Sequence, residues 1–139
     1  MLIRPFSPAE TEEVVTLWEA CGLVRPWNDP RKDIARKLTV QPELFLVGED
    51  GGAVVATAMA GFDGHRGWVY YVAVAPERQG EGLARTLLAE VEERLMAVGC
   101  PKVNVQIRSG NDRVAGFWSG LGYAPDGATG MGKRLIPDS

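Results

Sequence analysis

The feature that most constrains the fold is one continuous stretch near the middle of the chain. Trp68-Val69-Tyr70-Tyr71-Val72-Ala73-Val74 is apolar on both alternating faces, as a strand buried in the middle of a sheet must be. It is followed at once by Arg78-Gln79-Gly80-Glu81-Gly82-Leu83-Ala84-Arg85, and then by Leu83, Leu87, Leu88, Val91 and Leu95 at helical spacing. A central strand therefore runs through two glycines into a long amphipathic helix. Glycine disfavours a helix interior by about 1 kcal/mol relative to alanine, so a pair at the helix entrance needs a reason.

The remaining elements are arranged around this unit. Leu2–Phe6 is a short first strand, and Ser7 with Glu10 three residues later is a capping-box pattern that opens a helix to about Cys21, stopped by Gly22. Arg25-Pro26-Trp27-Asn28-Asp29-Pro30 is a proline-bracketed loop; Asp29 reads as the N-cap of a second helix to about Leu38, with Pro30 at its first position. Leu44–Gly48 and Ala53–Gly61 are strands joined by a turn at Glu49-Asp50-Gly51-Gly52. Gly99 closes the long helix, Val103–Ile107 is a further strand, Asn111 opens a short helix to about Gly120, and a last strand is expected near Lys133–Ile136. The order β-α-α-β-β-β-α-β-α-β gives an α/β fold with a mixed, mostly antiparallel sheet and helices on both faces.

At 139 residues the chain is read as one domain, 1–139, and its 45% hydrophobic and 24% charged residues suffice for a core. A net charge of −3 with scattered basic residues excludes an electrostatic footprint for nucleic acid. Cys21 and Cys100 form no CxxC and have no histidine partners, which argues against a metal site. No signal-peptide core follows Met1, and no apolar run approaches the roughly 20 residues of a membrane span. The expectation is a cytoplasmic protein without membrane partners.

Two readings of the glycines are open. They shape a tight strand-to-helix turn, or they bare the amides and positive dipole end of the helix for an anion. GxxxxGK[ST] is absent, and the third glycine of GxGxxG is missing. Gln79-Gly80-Glu81-Gly82-Leu83-Ala84 resembles the [Q/R]-x-x-G-x-[G/A] motif of the GNAT superfamily of acyl-CoA-dependent N-acetyltransferases. Val72-Ala73-Val74-Ala75-Pro76-Glu77, and Asn111 through Phe117-Trp118-Ser119-Gly120-Leu121-Gly122-Tyr123, extend the resemblance along nearly the whole chain. Phrases such as Arg25–Pro30, Phe45–Glu49, Asp63–Gly67, Gly99–Lys102 and Gly132–Ile136 look like those of small bacterial YpeA-type acetyltransferases.

The resemblance implies an enzyme that moves an acetyl group from acetyl-CoA to a primary amine by direct attack in a ternary complex. The pyrophosphate would sit on the backbone from Gln79 through Gly80, Glu81, Gly82 and Leu83 to Ala84, with Arg78, Arg85 and Thr86 as side-chain helpers. The pantetheine arm would lie along Val72, Ala73 and Val74, where that strand leaves Val103–Ile107, and Asn111 would bond the arm while also capping a helix. The loop with Trp27, Asn28 and Asp29 would wall the acceptor site. Asp29 would attract an ammonium and Trp27 would stack on it; helix capping and core packing are their alternative roles. The acceptor is a small amine or a protein N-terminus, no metal is implied, and a homodimer is expected by resemblance only.

The sequence departs from the family at the chemistry. Trp118 stands where the family's tyrosine acid is usual, and an indole cannot give up a proton at working pH. No carboxylate stands near the start of the central strand, where Arg66, Gly67 and Trp68 are found. Tyr70 is the replacement candidate, expected by alternation on the same face as Trp68 and Val72, with a core aromatic as its other reading. His65 and Asp63 read as turn residues, and Tyr123 as core. A non-catalytic acyl-CoA-binding sensor is the alternative function that these departures support.

Overall fold

The strand hairpin that begins the sheet is set by its turn. In the computed structural model, which describes residues 1–138, Gly51 and Gly52 take φ of +59° and +81°. Two left-handed residues make the two-residue turn whose twist matches paired strands. It joins β2 (Phe45–Asp50) to β3 (Ala53–Phe62). β1 (Leu2–Pro5) pairs with β2, and β4 (Gly67–Val74) with β3, all antiparallel; β5 (Val103–Asn104) pairs parallel to β4. The sheet order is β1-β2-β3-β4-β5.

Alternation along β2 divides the core. Phe45 and Val47 face one side with Val14, Val15, Trp18 and Ile34; Leu46 faces the other with Leu87, Leu88, Val91, Leu95 and Trp118. The first, or front, face is covered by α1 (Thr11–Ala20) and α2 (Pro30–Lys37). The back face is covered by α3 (Leu83–Ala97) and α4 (Asp112–Gly120). The expected α/β class and helix order are observed. The local signals also held: Glu10 accepts from the Ser7 amide at 2.8 Å, and Asp29 caps α2 by accepting from Arg31 N at 2.9 Å.

Two expected features differ. The fifth strand pairs only over Val103–Asn104, not to Ile107, because β4 turns away from it. No strand forms at Lys133–Ile136. There Leu135 and Ile136 lie in a bend, and Arg134 folds back on Ile136 O at 3.2 Å. The tail crosses instead to α2, where Asp138 accepts from the Asp29 amide at 2.7 Å and pairs with Arg36.

The reason β4 turns away is a bulge. Thr57 pairs with Ala73 and Met59 with Tyr70, so β4 holds one more residue than β3 over this span. Tyr71 takes φ +51°, a conformation that is a genuine outlier for a bulky side chain. Three contacts hold it. Thr57 Oγ1 donates to Tyr71 O at 2.8 Å, the Tyr71 ring stacks on Trp18 at 3.8 Å, and its hydroxyl donates to Asp33 at 2.7 Å. Thr57 is fully buried and also accepts from Trp18 Nε1 at 2.9 Å.

The bulge corrects the expected alternation. Trp68 and Tyr70 do share a face, their rings parallel within 7°. Val69 and Val72 both pack in the back cluster, so the extra residue leaves Tyr70 and Val72 on opposite faces.

Thr57→Val keeps the shape but leaves the Trp18 N–H and the Tyr71 carbonyl without their partner. The expected loss is about 1–3 kcal/mol, read by chemical denaturation, with Thr57→Ser recovering most of it. A Thr57→Val protein as stable as the parent would mean the hydroxyl does not hold the bulge.

Candidate functional site

The gap between β4 and β5 is the centre of the site. The ladder consists of Gly67 opposite Val103 and Trp68 opposite Asn104. It can close that tightly because residue 67 is glycine; a Cβ there would stand 2.7 Å from Cys100 Sγ. Beyond the bulge, Ala75 N–H donates to Val55 O at 2.8 Å, toward β3. Alternation then turns the main-chain groups of Ala73 toward β3 and those of Val72 and Val74 into the gap. Val74 O meets Cys21 Sγ at 3.2 Å and Gln79 Nε2 at 3.3 Å. Burial pushes the Cys21 thiol up, so it stays protonated and able to donate.

The glycine loop lies at the far end of this gap. Gly80 and Gly82 take φ of +84° and +78°, and Gly82 is the N-cap residue of α3. A Cβ on either would meet nothing within 4 Å, so the space in front of the loop is open. The first helical bond is donated by Thr86 N to Gly82 O at 3.1 Å. The amides of Leu83, Ala84 and Arg85 find no acceptor among the described residues. That is a cradle of free N–H groups at the positive end of a helix of 15 residues.

The side chains around the cradle are engaged. Arg78 pairs with Asp50 at 2.8 Å and with Glu81 at 2.9 Å, and these hydrogen bonds raise its pKa and lower those of both carboxylates. Thr86 Oγ1 turns back to Gly82 O at 3.1 Å. Arg85 reaches Gly120 O at 3.3 Å, at the end of α4. Asn111 caps α4, its Oδ1 accepting from Val114 N at 3.3 Å.

On the front face the structure assembles a network that sequence reasoning missed. Tyr71 OH donates to Asp33, and Asn28 Nδ2 donates to Tyr71 OH at 3.1 Å and to Asp33. Arg134 donates to Asn28 Oδ1 at 2.8 Å. Burial first, then the Asp33 carboxylate, holds the Tyr71 phenol well above its ordinary value, so it is a fixed donor. Asn28 was expected at the acceptor site from the sequence, but Tyr71, Asp33 and Arg134 were not; the bulge that aims Tyr71 leaves no composition mark. Asp29 is used as a cap, while Trp27 is 58% exposed.

The catalytic candidates separate. Trp118 is buried, edge-on to Phe117 and Tyr123. Tyr123 donates to Glu92 at 2.6 Å from within the back cluster. Tyr70 is half-exposed on the front face, its hydroxyl has no partner among the described residues, and burial raises its pKa. Asp63 Oδ1 accepts from the amides of His65 and Arg66, each at 2.8 Å, so these residues form a turn. Among the described residues, no group of three His, Cys, Asp or Glu side chains could hold a metal ion, and no helix is long and apolar enough to cross a membrane.

A cleft of about 850 Å³ is lined by Trp27, Arg36, Gln106, Arg108 and residues 132–136. Gln106 and Arg108, which follow β5, line it together with Trp27 of the loop before α2 and Arg36 of α2, so the cleft lies on the front side.

With this geometry in view, residues 11–123 match the family described as Acetyltransferase (GNAT) family. The chain is 50% identical over 138 residues to an acetyltransferase of Yersinia enterocolitica, covering 99% of this chain and 98% of that one. Among solved structures, a ribosomal-protein-alanine N-acetyltransferase from Brucella melitensis superposes with TM-score 0.71 at 26% identity, over 88% of this chain and 83% of that one. The aminoglycoside 6'-N-acetyltransferase of Acinetobacter haemolyticus shares the fold, with TM-score 0.76 at 15% identity over 98% and 99% of the two chains.

A phenol whose pKa is raised by folding stabilises the fold below its ordinary value of 10.0, and that stability is lost as pH rises through the folded value. Tyr71→Phe is expected to flatten the fall of stability above pH 10.0, read from denaturation midpoints at several alkaline pH values. An unchanged alkaline slope would assign the fall to other groups.

Proposed function

From the Acetyltransferase (GNAT) family, to which this chain belongs, we propose that it moves an acetyl group from acetyl-CoA to a primary amine. The observation that carries this reading is the open cradle of the Leu83, Ala84 and Arg85 amides, set at the end of a gap into which Val72 and Val74 turn their main-chain groups. These residues fit acetyl-CoA in two places. Free N–H groups at a helix start suit a pyrophosphate, and strand-edge amides suit the two amides of a pantetheine arm. The resemblance-based roles of Gln79, Gly80, Glu81 and Gly82 follow from the same cradle. Arg85 adds positive charge beside it, whereas the charge of Arg78 is met by Asp50 and Glu81, and Asn111 would bond the arm.

Acetyl-CoA supplies the activated carbonyl. In one ternary complex the neutral amine forms the new C–N bond, the C–S bond breaks, and the proton from nitrogen passes to solvent. In this reading the Val72 N–H would stabilise negative charge on the carbonyl oxygen. With Trp118 sealed in the core, Tyr70 is the protonated phenol we assign to meet the departing thiolate. Much of the acceleration then comes from holding two substrates together. The buried Trp118 also favours a second reading, a non-catalytic acyl-CoA sensor.

Calorimetric titration with acetyl-CoA tests the cradle. The parent binds, and Gly82→Glu weakens binding roughly tenfold or more by placing a carboxylate before the amides. Gly82→Asn, which accepts a left-handed backbone, controls for strain and should still bind. Equal affinity in Gly82→Glu overturns the phosphate assignment, whereas binding without thiol release from any amine supports the sensor.

A further inference from the structure

We propose that the front cleft binds an oxyanion, so that the acceptor is a small primary amine carrying a carboxylate or phosphate group. The inference rests on the acetyl-transfer reading for the word acceptor; the oxyanion site stands on its own geometry. Among the described residues, four cations, Arg36, Arg108, Lys133 and Arg134, line the cleft, and no carboxylate does. Behind them, Asp33 and Asp138 pair with Arg36, and Asp138 lies 3.6 Å from Arg134. Among the described residues, four positive charges therefore face two negative ones, in a chain whose net charge is −3. Arg108 and Lys133 have no carboxylate partner among the described residues. A guanidinium and an ammonium lining one cleft, both ready to donate, suit a carboxylate or phosphate.

Size and position agree. About 850 Å³ lies within the roughly 300–1,000 Å³ of small-molecule sites. Gln106 adds an amide, and the exposed faces of Trp27 and Ile136 add apolar surface. The cleft is joined to the bulge by the chain Arg134–Asn28–Tyr71, which ties its lining to Tyr71 of β4. The cofactor cradle is a separate feature, since α3 packs on the back face. This also inverts the expected electrostatics of the loop: Asp29 caps a helix, and the charge offered to a ligand here is positive.

Two readouts test the proposal. The first is thiol release at saturating acetyl-CoA with matched amines: an amino acid against its amide, O-phosphoethanolamine against ethanolamine, and spermidine. The anionic member of each pair should be preferred by about ten- to a hundredfold in kcat/KM. The pair showing the larger ratio distinguishes carboxylate from phosphate. The double variant Arg108→Gln/Lys133→Gln should raise KM for anionic amines while leaving acetyl-CoA affinity unchanged. Preference for spermidine or the uncharged amines, or turnover of acidic peptides alone, overturns it. The second readout needs no acetyl-CoA. Trp27 fluorescence should change saturably with O-phosphoethanolamine or a free amino acid, and lose that response in the double variant. No saturable response to either ligand overturns the oxyanion site even where acetyl-CoA binds; failure of acetyl-CoA to bind, with this response intact, sinks only the transferase reading.

Discussion

One buried hydroxyl organises the site. Thr57 takes the Trp18 indole proton and gives its own to the carbonyl of Tyr71, which fixes a left-handed residue inside a strand. Such a backbone costs roughly 1–2 kcal/mol in an L-residue and persists only where surroundings over-determine it. Here a ring stack below and a carboxylate above supply the rest. Without the extra residue β4 would continue alongside β5, and Val72 and Val74 would have ladder partners instead of an open edge.

The glycine loop depends on a different support. Its amides stay aimed at the open space only while the helix behind them stays put, and α3 is anchored by Leu87, Leu88, Val91 and Leu95, all buried in the back cluster. Gly80 and Gly82 are required by positive φ rather than by crowding, so their lack of side chains leaves the space in front of them clear. Arg78 is bound to Asp50 and Glu81, so what the loop offers is its neutral backbone more than that cation. Amides held by a helix need little reorganisation when an anion arrives.

What could be read from the sequence was what is encoded locally. The Gly51-Gly52 turn, the Asp29-Pro30 cap, the stripe of α3 and the glycine loop each announce themselves within a few residues, and each stands where expected. The bulge was not legible, because Tyr71 is a normal strand residue by propensity and its φ is set by Thr57, Trp18 and Asp33, distant in sequence. A single inserted residue reverses every later side chain, which is why Tyr70 and Val72 part company. The strand expected at Lys133–Ile136 failed for a related reason. A strand needs an edge to pair with, and β5 ends at Asn104.

That missing strand has a structural counterpart. The chain it would have used is tied to α2 through Asp138, whose carboxylate meets Arg36 and the Asp29 amide while Lys32 bonds its carbonyl at 2.5 Å. This tether brings Lys133 and Arg134 beside Arg108, and so makes the cleft positive. The two halves of the site are thus built by different means. Backbone groups form the cradle and the gap, and they can change only if the fold changes. Side chains of a loop and an irregular tail form the cleft, and they can change without disturbing the sheet. The bulge at Tyr71, whose carbonyl is held by Thr57 of β3 and whose hydroxyl reaches Asn28 and Asp33, is where the sheet and the cleft-side loop meet.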